Sequence, residues 1–301
     1  MNLRPNDLKL LTYLYHNVRD TYATISKKTG LSREQVSYKI EKYQKEGLIR
    51  RYVPIFNHAA FGYRYNVTLF FCNPDPEKII KSKYCISWGR VYAKYRIYVN
   101  CTFVDEKSFL SFLEKSDIQP ELVIHHQYSR LYPLKILNND AAETYEMNET
   151  ISEKSFDKKD LLFIKELTKN SRARIIDLAS AAGISSELAL YKLRKLKSEK
   201  ILTGSRIQFN MKKLGYYFTL IFIEGNMQLR TKIQRYCASA KNVNSLFIQT
   251  NYPQFGIQIF HKTEDEMRKA ITDIQDHILE AKIEIIPIGE DQDLINVLPF
   301  L

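Results

Sequence analysis

Between Gly30 and Gly47 the chain carries Ser32, Arg33, Gln35, Ser37, Tyr38, Lys39 and Lys42, set around Val36, Ile40 and Tyr43 at helical spacing. That combination suits recognition of duplex nucleic acid. Arg33 and Gln35, at the start of the helix, can offer paired hydrogen bonds to guanine or adenine edges. Ser32, Tyr38, Lys39 and Lys42 suit phosphate contacts, which fix register without reading sequence. Arg50 and Arg51 follow where a wing would reach the neighbouring backbone. A second set lies 153 positions later, with Ser185, Ser186, Tyr191, Lys192 and Lys195 as its DNA-contacting candidates. There Leu188 and Leu190 replace Gln35 and Ser37, so fewer base-reading groups remain. The plain alternative for both sets is a solvated helix face.

Such residues work only if a helix presents them. Leu8, Leu11, Leu14 and Tyr15 predict a first helix near Pro5 to Tyr15. A second covers Thr21 to Lys28 and stops at Gly30. Ser32 with Gln35 forms a capping box for a third, which Gly47 ends. Leu48 to Asn57 alternates like a strand pair, where a wing would sit. From Gly62 the period changes. Strands are expected at Tyr63–Cys72, Ile86–Tyr92, Arg96–Val104 and Leu122–Tyr128, with helices at Pro76–Tyr84 and Asp105–Lys115. The order is βαββαβ, a ferredoxin-like α+β unit.

Asp7 to Tyr63 aligns without a gap on Asp160 to Tyr216, with sixteen identities in 57 positions, among them Asn17/Asn170, Arg19/Arg172 and Phe56/Phe209. The expected class is therefore α+β, with two winged helix-turn-helix domains, each followed by a ferredoxin-like βαββαβ domain. The expected boundaries are 1–60, 61–137, an acidic linker at 138–156, 157–214 and 215–301. Net charge is +11, distributed as +6 over 1–60, +4 over 61–137 and +8 over 157–214, against −4 over 138–156 and −3 over 215–301. Basic reading segments are what phosphate neutralisation predicts. The longest apolar run, Tyr216 to Ile223, is a buried strand rather than a membrane span, and MNLRPNDLKLL lacks the apolar stretch of a secretory signal. Cys72, Cys85, Cys101 and Cys237 form no CxxC pair, so reduced thiols and a cytoplasmic location are expected.

The chain resembles the Lrp/AsnC (feast/famine) transcription regulators. The resemblance rests on Asp7, Leu10, Leu11, Leu14, Asn17, Arg19, Gly30, Leu31, Ser32, Lys39, Ile40, Gly47 and Phe61-Gly62-Tyr63. It recurs in Asp160, Ile164, Leu167, Asn170, Arg172, Gly183, Ser185, Lys192 and Leu214-Gly215-Tyr216. It implies a sequence-specific DNA-binding transcription regulator, double-stranded DNA as partner, an internal pseudo-dimer and homo-oligomers. Members often sense amino acids through a Gly-x-x-Asp turn. Neither Trp88–Tyr95 nor Gln249–Gly256 supplies that turn, so no effector residues are assigned.

The siroheme decarboxylases resemble the same family and occur as fused pairs, which makes a tetrapyrrole enzyme the rival reading. Their His-Asn-Tyr-x-Arg stretch is echoed only by His125-His126-Gln127-Tyr128-Ser129-Arg130, on the last strand of the first unit. A protein-docking winged-helix module is a third class. Adjacent His125 and His126 point to opposite faces of a strand, so no metal site is expected. No P-loop, GxGxxG or nucleophile elbow is present, and no cofactor is expected. On these grounds the chain is expected not to be an enzyme.

Overall fold

The computed structural model describes residues 3–72, 77–133, 135–137, 145–146, 151–249, 251–279, 281–292 and 296–299. Most of the expected linker, residues 138–144 and 147–150, lies outside them. The first unit begins with α1 (Pro5–His16), α2 (Tyr22–Thr29), α3 (Arg33–Lys45) and β1 (Ile49–Phe56). It continues with β2 (Tyr65–Phe71), α4 (Glu77–Ile80), β3 (Cys85–Val91), β4 (Ile97–Phe103), α5 (Glu106–Ser116), β5 (Leu122–His125), β6 (Tyr128–Leu131) and β7 (Tyr145–Glu146). The second unit has α6 (Lys158–Lys169), α7 (Ile175–Ala182), α8 (Ser186–Ser198) and β8 (Leu202–Phe209). It ends with β9 (Tyr217–Glu224), α9 (Arg230–Ser239), β10 (Val243–Ile248), β11 (Phe255–His261), α10 (Glu264–His277) and β12 (Lys282–Gln292).

Local chemistry sets the helix ends. Thr21 accepts the Thr24 amide at 3.1 Å to start α2, and Gly30 ends it at φ 76°. On α3 the Ser32 hydroxyl accepts the Gln35 amide at 3.2 Å, while the Ser32 amide donates to Gln35 Oε1 at 2.9 Å. The left-handed position after α3 is Gly47 at φ 67°, and its counterpart after α8 is Lys200 at φ 56°. A lysine there works against the left-handed penalty that glycine avoids.

The expected strand pair at Leu48–Asn57 is one strand. β1 holds no turn residues of the kind a hairpin needs, and it pairs antiparallel with β8 of the other unit, Tyr52 opposite Ile207 and Val53 opposite Arg206. Matching backbone bonds close the ribbon's ends: Asn57 donates to Ile201 at 2.9 Å, and Asn210 to Leu48 at 2.8 Å. The cores interlock through this ribbon. Phe209 is buried with α1–α3 and stacks on Tyr15 at 5.8 Å, while Phe56 is buried with α6–α8. The identity of Phe56 and Phe209 thus reflects one position used twice, each ring completing the other unit's core.

Each α+β unit has the strand order of a ferredoxin-like sheet, β5-β2-β4-β3 and β12-β9-β11-β10, and β3 joins β12 to merge them. The expected last strand, Leu122–Tyr128, breaks at His126–Gln127. β5 pairs β2, whereas β6 crosses to pair β10 of the other unit. The ladder therefore returns to the strand pair from which it began. Phe70, Leu220, Phe222, Ile286 and Ile288 fill its interior, and helices cover its outer faces. The helix expected at Pro76–Tyr84 is reduced to the single turn of α4.

Candidate functional site

The reading-helix candidates fall into two groups. Arg33, Gln35, Tyr38 and Lys42 are exposed on α3, and Ser185, Ser186, Tyr191 and Lys195 on or beside α8. Tyr38 and Tyr191, at matching positions, are 66% and 60% exposed. Several candidates, exposed ones among them, have intramolecular partners. Lys39 forms an ion pair with Asp7 of α1, and Lys192 forms the equivalent pair with Asp160 of α6. Both lysines were expected on phosphate; the structure instead places each between two helices of its own unit. The Asp7 carboxyl is almost fully covered; burial opposes its charge, but the Lys39 ammonium and the Arg4 amide together hold its pKa below the ordinary value. Gln35 accepts in the capping box, Ser37 donates to Glu41 at 3.0 Å, and Lys42 and Lys195 sit 3.9 Å from Glu46 and Glu199. Ser32 and Ser185 act as helix caps.

Arg50 and Arg51 are not on a free wing. Arg51 Nε donates to Gln208 Oε1 across the ribbon at 2.9 Å. Arg50 lines a cavity of about 560 Å³ between the ribbon and the curled sheet. Arg206 of β8, Lys212 and Arg130 of β6 add three further cations, and His58 and His126 add two imidazoles. Among the described residues, no Asp or Glu lines it. Phe218, Phe222, Phe247 and Phe260 supply an apolar wall. Gly256 lets the Phe247 ring lie flat there, since a Cβ at Gly256 would meet Phe247 Cε2 at 1.9 Å.

A polar chain crosses the cavity floor. Thr68 Oγ1 donates to Asn100 Oδ1 at 2.5 Å, and Asn100 Nδ2 donates to Ser87 Oγ at 2.7 Å. His126 Nε2 lies 2.6 Å from Thr68 Oγ1. The threonine's one hydrogen is committed to Asn100, so the network assigns the Nε2–H tautomer to His126. Burial lowers its pKa to about 4, so the ring is neutral near pH 7. Cavity charge at that pH comes from the arginines and Lys212. His125 faces the other way and stacks on Tyr65 at 4.3 Å. The sequence placed this stretch on a single last strand of the first unit, and the structure keeps only its start there. The break after His126 carries Arg130 over to β10 and puts both residues on the cavity. Arg206, Lys212, Thr68 and Asn100 carried no motif, and only the topology assembles them.

Residues 3–50 match a family model described as winged helix-turn-helix DNA-binding. An uncharacterised HTH-type transcriptional regulator of Pyrococcus furiosus is 35% identical over 63 residues, 21% of this chain and 43% of that one, so the match spans less than half of that relative. The crystal structure of the siroheme decarboxylase NirDL is similar over 98% of this chain and 94% of that one, at 14% identity and a TM-score of 0.66. Its complex with an iron-uroporphyrin III analogue matches over 97% and 92%, at 14% identity and a TM-score of 0.64. Escherichia coli AsnC matches 48% of this chain and 99% of its own, at 21% identity and a TM-score of 0.43.

The N-terminal part is therefore a winged helix-turn-helix of the DNA-binding type, joined to ferredoxin-like α+β structure. The expectation that the chain is not an enzyme is overturned, because its fold is shared end to end with a decarboxylase. The physical error lay in treating basic charge near the reading helices as charge for DNA alone. Part of it, Arg50 and Arg206, lines the cavity between the ribbon and the sheet. No helix among the described residues is long and apolar enough to cross a membrane.

Proposed function

We propose that this chain is a sequence-specific DNA-binding transcription regulator, presenting α3 and, less selectively, α8 to duplex DNA. The observation that carries the reading is that Arg33, Tyr38 and Lys42 are exposed on a capped helix that Asp7–Lys39 ties to α1. A helix held to its neighbour and carrying exposed Arg33 near its start meets the requirement for major-groove entry. The matched family model and the basic charge of both helical regions support it. Titration of duplex DNA at several salt concentrations tests it. Affinity should fall steeply with salt, and Arg33→Ala should weaken binding more on preferred than on random sequence. Salt-independent binding, or none, overturns it.

A second reading is favoured by the cavity. Arg50, Arg130, Arg206 and Lys212, beside an aromatic wall, suit an anionic tetrapyrrole such as siroheme, the substrate of the decarboxylase that shares this fold. On this reading the chain binds and decarboxylates siroheme. Addition of siroheme with recording of its Soret band, followed by mass analysis of the product, tests it. An unshifted band and unchanged mass remove it.

A further inference from the structure

The two reading helices are mounted alike and differ in what they expose. Each is capped by a serine, and each is tied to the first helix of its unit by an Asp–Lys pair. Tyr38 and Lys42 of α3 recur as Tyr191 and Lys195 of α8, so the groups suited to phosphate are kept. The groups suited to base edges are not. Arg33, Gln35 and Ser37 give way to Ser186, Leu188 and Leu190. Leu188 and Leu190 are 40% and 37% exposed, and α3 forms the same helix with polar residues at both positions, so the fold does not require them. A lone exposed leucine is ordinary on a protein surface. Two observations set this pair apart. Both leucines lie in the first half of α8, the end that enters a major groove, and Ser185 fixes that end by accepting the Leu188 amide at 3.2 Å. The helix around them is also more cationic than α3. The Ser37–Glu41 pair of α3 is replaced by Leu190 and an exposed Arg194. Four basic residues accompany one acidic residue on α8, against four and two on α3. Attraction to phosphate is therefore retained where the paired hydrogen-bond donors are lost. One base-edge group in the major groove is apolar, the C5-methyl of thymine.

We propose that α8 selects thymine methyl groups through Leu188 and Leu190, so that this chain reads an asymmetric DNA site. One half is chosen by hydrogen bonds from Arg33 on α3, and the other by apolar contact with α8. This rests on the DNA-binding reading and adds what the second helix reads. Two helices related by an exact two-fold must read the same half-site, whereas two copies within one chain are free to differ. Covering a methyl group discriminates less than a bidentate hydrogen bond, which agrees with α8 being the less selective helix.

The test selects duplexes from a random pool with the full chain. The preferred duplex is then made again with uracil in place of thymine, which removes the methyl and leaves base pairing unchanged. Arg33→Ala identifies the α3 half as the one whose selection it relaxes. Uracil in the other half should weaken binding about fourfold for each covered methyl lost, and uracil in the α3 half should leave it nearly unchanged. The double variant Leu188→Gln, Leu190→Ser carries the α3 residue at both positions, and a thermal melt checks that it folds. It should bind thymine and uracil duplexes equally and keep the selection that depends on Arg33. Equal binding of both duplexes by wild type overturns the proposal and leaves the DNA reading standing, as does a selected site with two equivalent halves. A uracil effect that persists in the double variant places the methyl contact elsewhere and also overturns the proposal. If no duplex binds at any salt concentration, or none is preferred, the sequence-specific reading falls and the proposal falls with it.

Discussion

Arg19 and Arg172 occupy the same position in the two units, and each guanidinium reaches across to the other unit's backbone. Arg19 donates to the carbonyls of Ser171 and, at 3.0 Å, Ala173, and Arg172 donates to the carbonyl of Val18. Arg172 also lies over the rings of Tyr22 and Tyr52. Burial, and then the nearby Arg172 charge, lower the Arg19 pKa. Arg19→Ala should cost about 1.5–3 kcal/mol, since charge-assisted bonds to two carbonyls are lost. Arg19→Lys should recover only part of that, because an ammonium lacks the planar fork. The double change with Arg172→Ala should cost more than the sum, since each single change already relieves the repulsion between the two cations and the double change relieves it only once. Urea unfolding of the four variants checks this; strict additivity would remove the coupling.

Lys39→Ala should act on stability rather than on DNA contacts. It leaves the covered Asp7 carboxylate without its cation, at a cost of about 1–3 kcal/mol. The salt slope of DNA binding should stay at the wild-type value. Lys42→Ala should instead reduce the slope by about one unit and leave stability nearly unchanged. Parallel denaturation and salt titration separate the two; a slope reduced by Lys39→Ala would restore that residue to the phosphate contacts.

Acid should weaken the fold partly through His126. Its folded pKa of about 4 lies below the ordinary 6.5, so between those values the unfolded chain holds more protons. Stability from this group is present above pH 6.5 and falls as pH drops toward 4, with a slope of at most about 1.4 kcal/mol per pH unit. Burial also lowers the pKa of His58 and His261, so the wild-type profile contains their share. The urea midpoint of His126→Asn should therefore fall less between pH 7 and pH 5 than that of wild type. Superimposable profiles would show that His126 does not contribute.

Lys200→Gly should raise stability by roughly 1 kcal/mol by relieving a left-handed lysine. Gly47→Ala, at the matching position, should lower it, because the backbone is left-handed there too and the new methyl would meet Lys213 Nζ at 3.3 Å. Melting temperatures of the two variants should move in opposite directions. A shift of both in the same direction would contradict the account.

The readable features were local. The Ser32–Gln35 capping box, the stops at Gly30 and Gly183 and the βαββαβ order follow from residues a few positions apart. Misplaced features depended on distant partners. Nothing near β1 names β8 as its mate, and nothing near His126 shows that the strand will break and cross. Lys39 is an intermediate case. Asp7–Lys39 and Asp160–Lys192 repeat the same spacing of 32, a sign of internal pairing that an exposed-face reading overlooks. The cavity was invisible because its cations come from the ribbon, from β6 and from the turn after β8.

Interlocking has a consequence during synthesis on the ribosome. Residues 1–131 emerge with β1 lacking its mate, β3 with one open edge, and α1–α3 without Phe209. At typical elongation rates, about 5–20 residues per second, the missing strand β8 arrives several seconds later or more. In that interval a neighbouring nascent chain on the same message offers an identical open edge. Cells making this protein must therefore shield the half-made product, or translate it sparsely enough that the first suitable partner is its own second half.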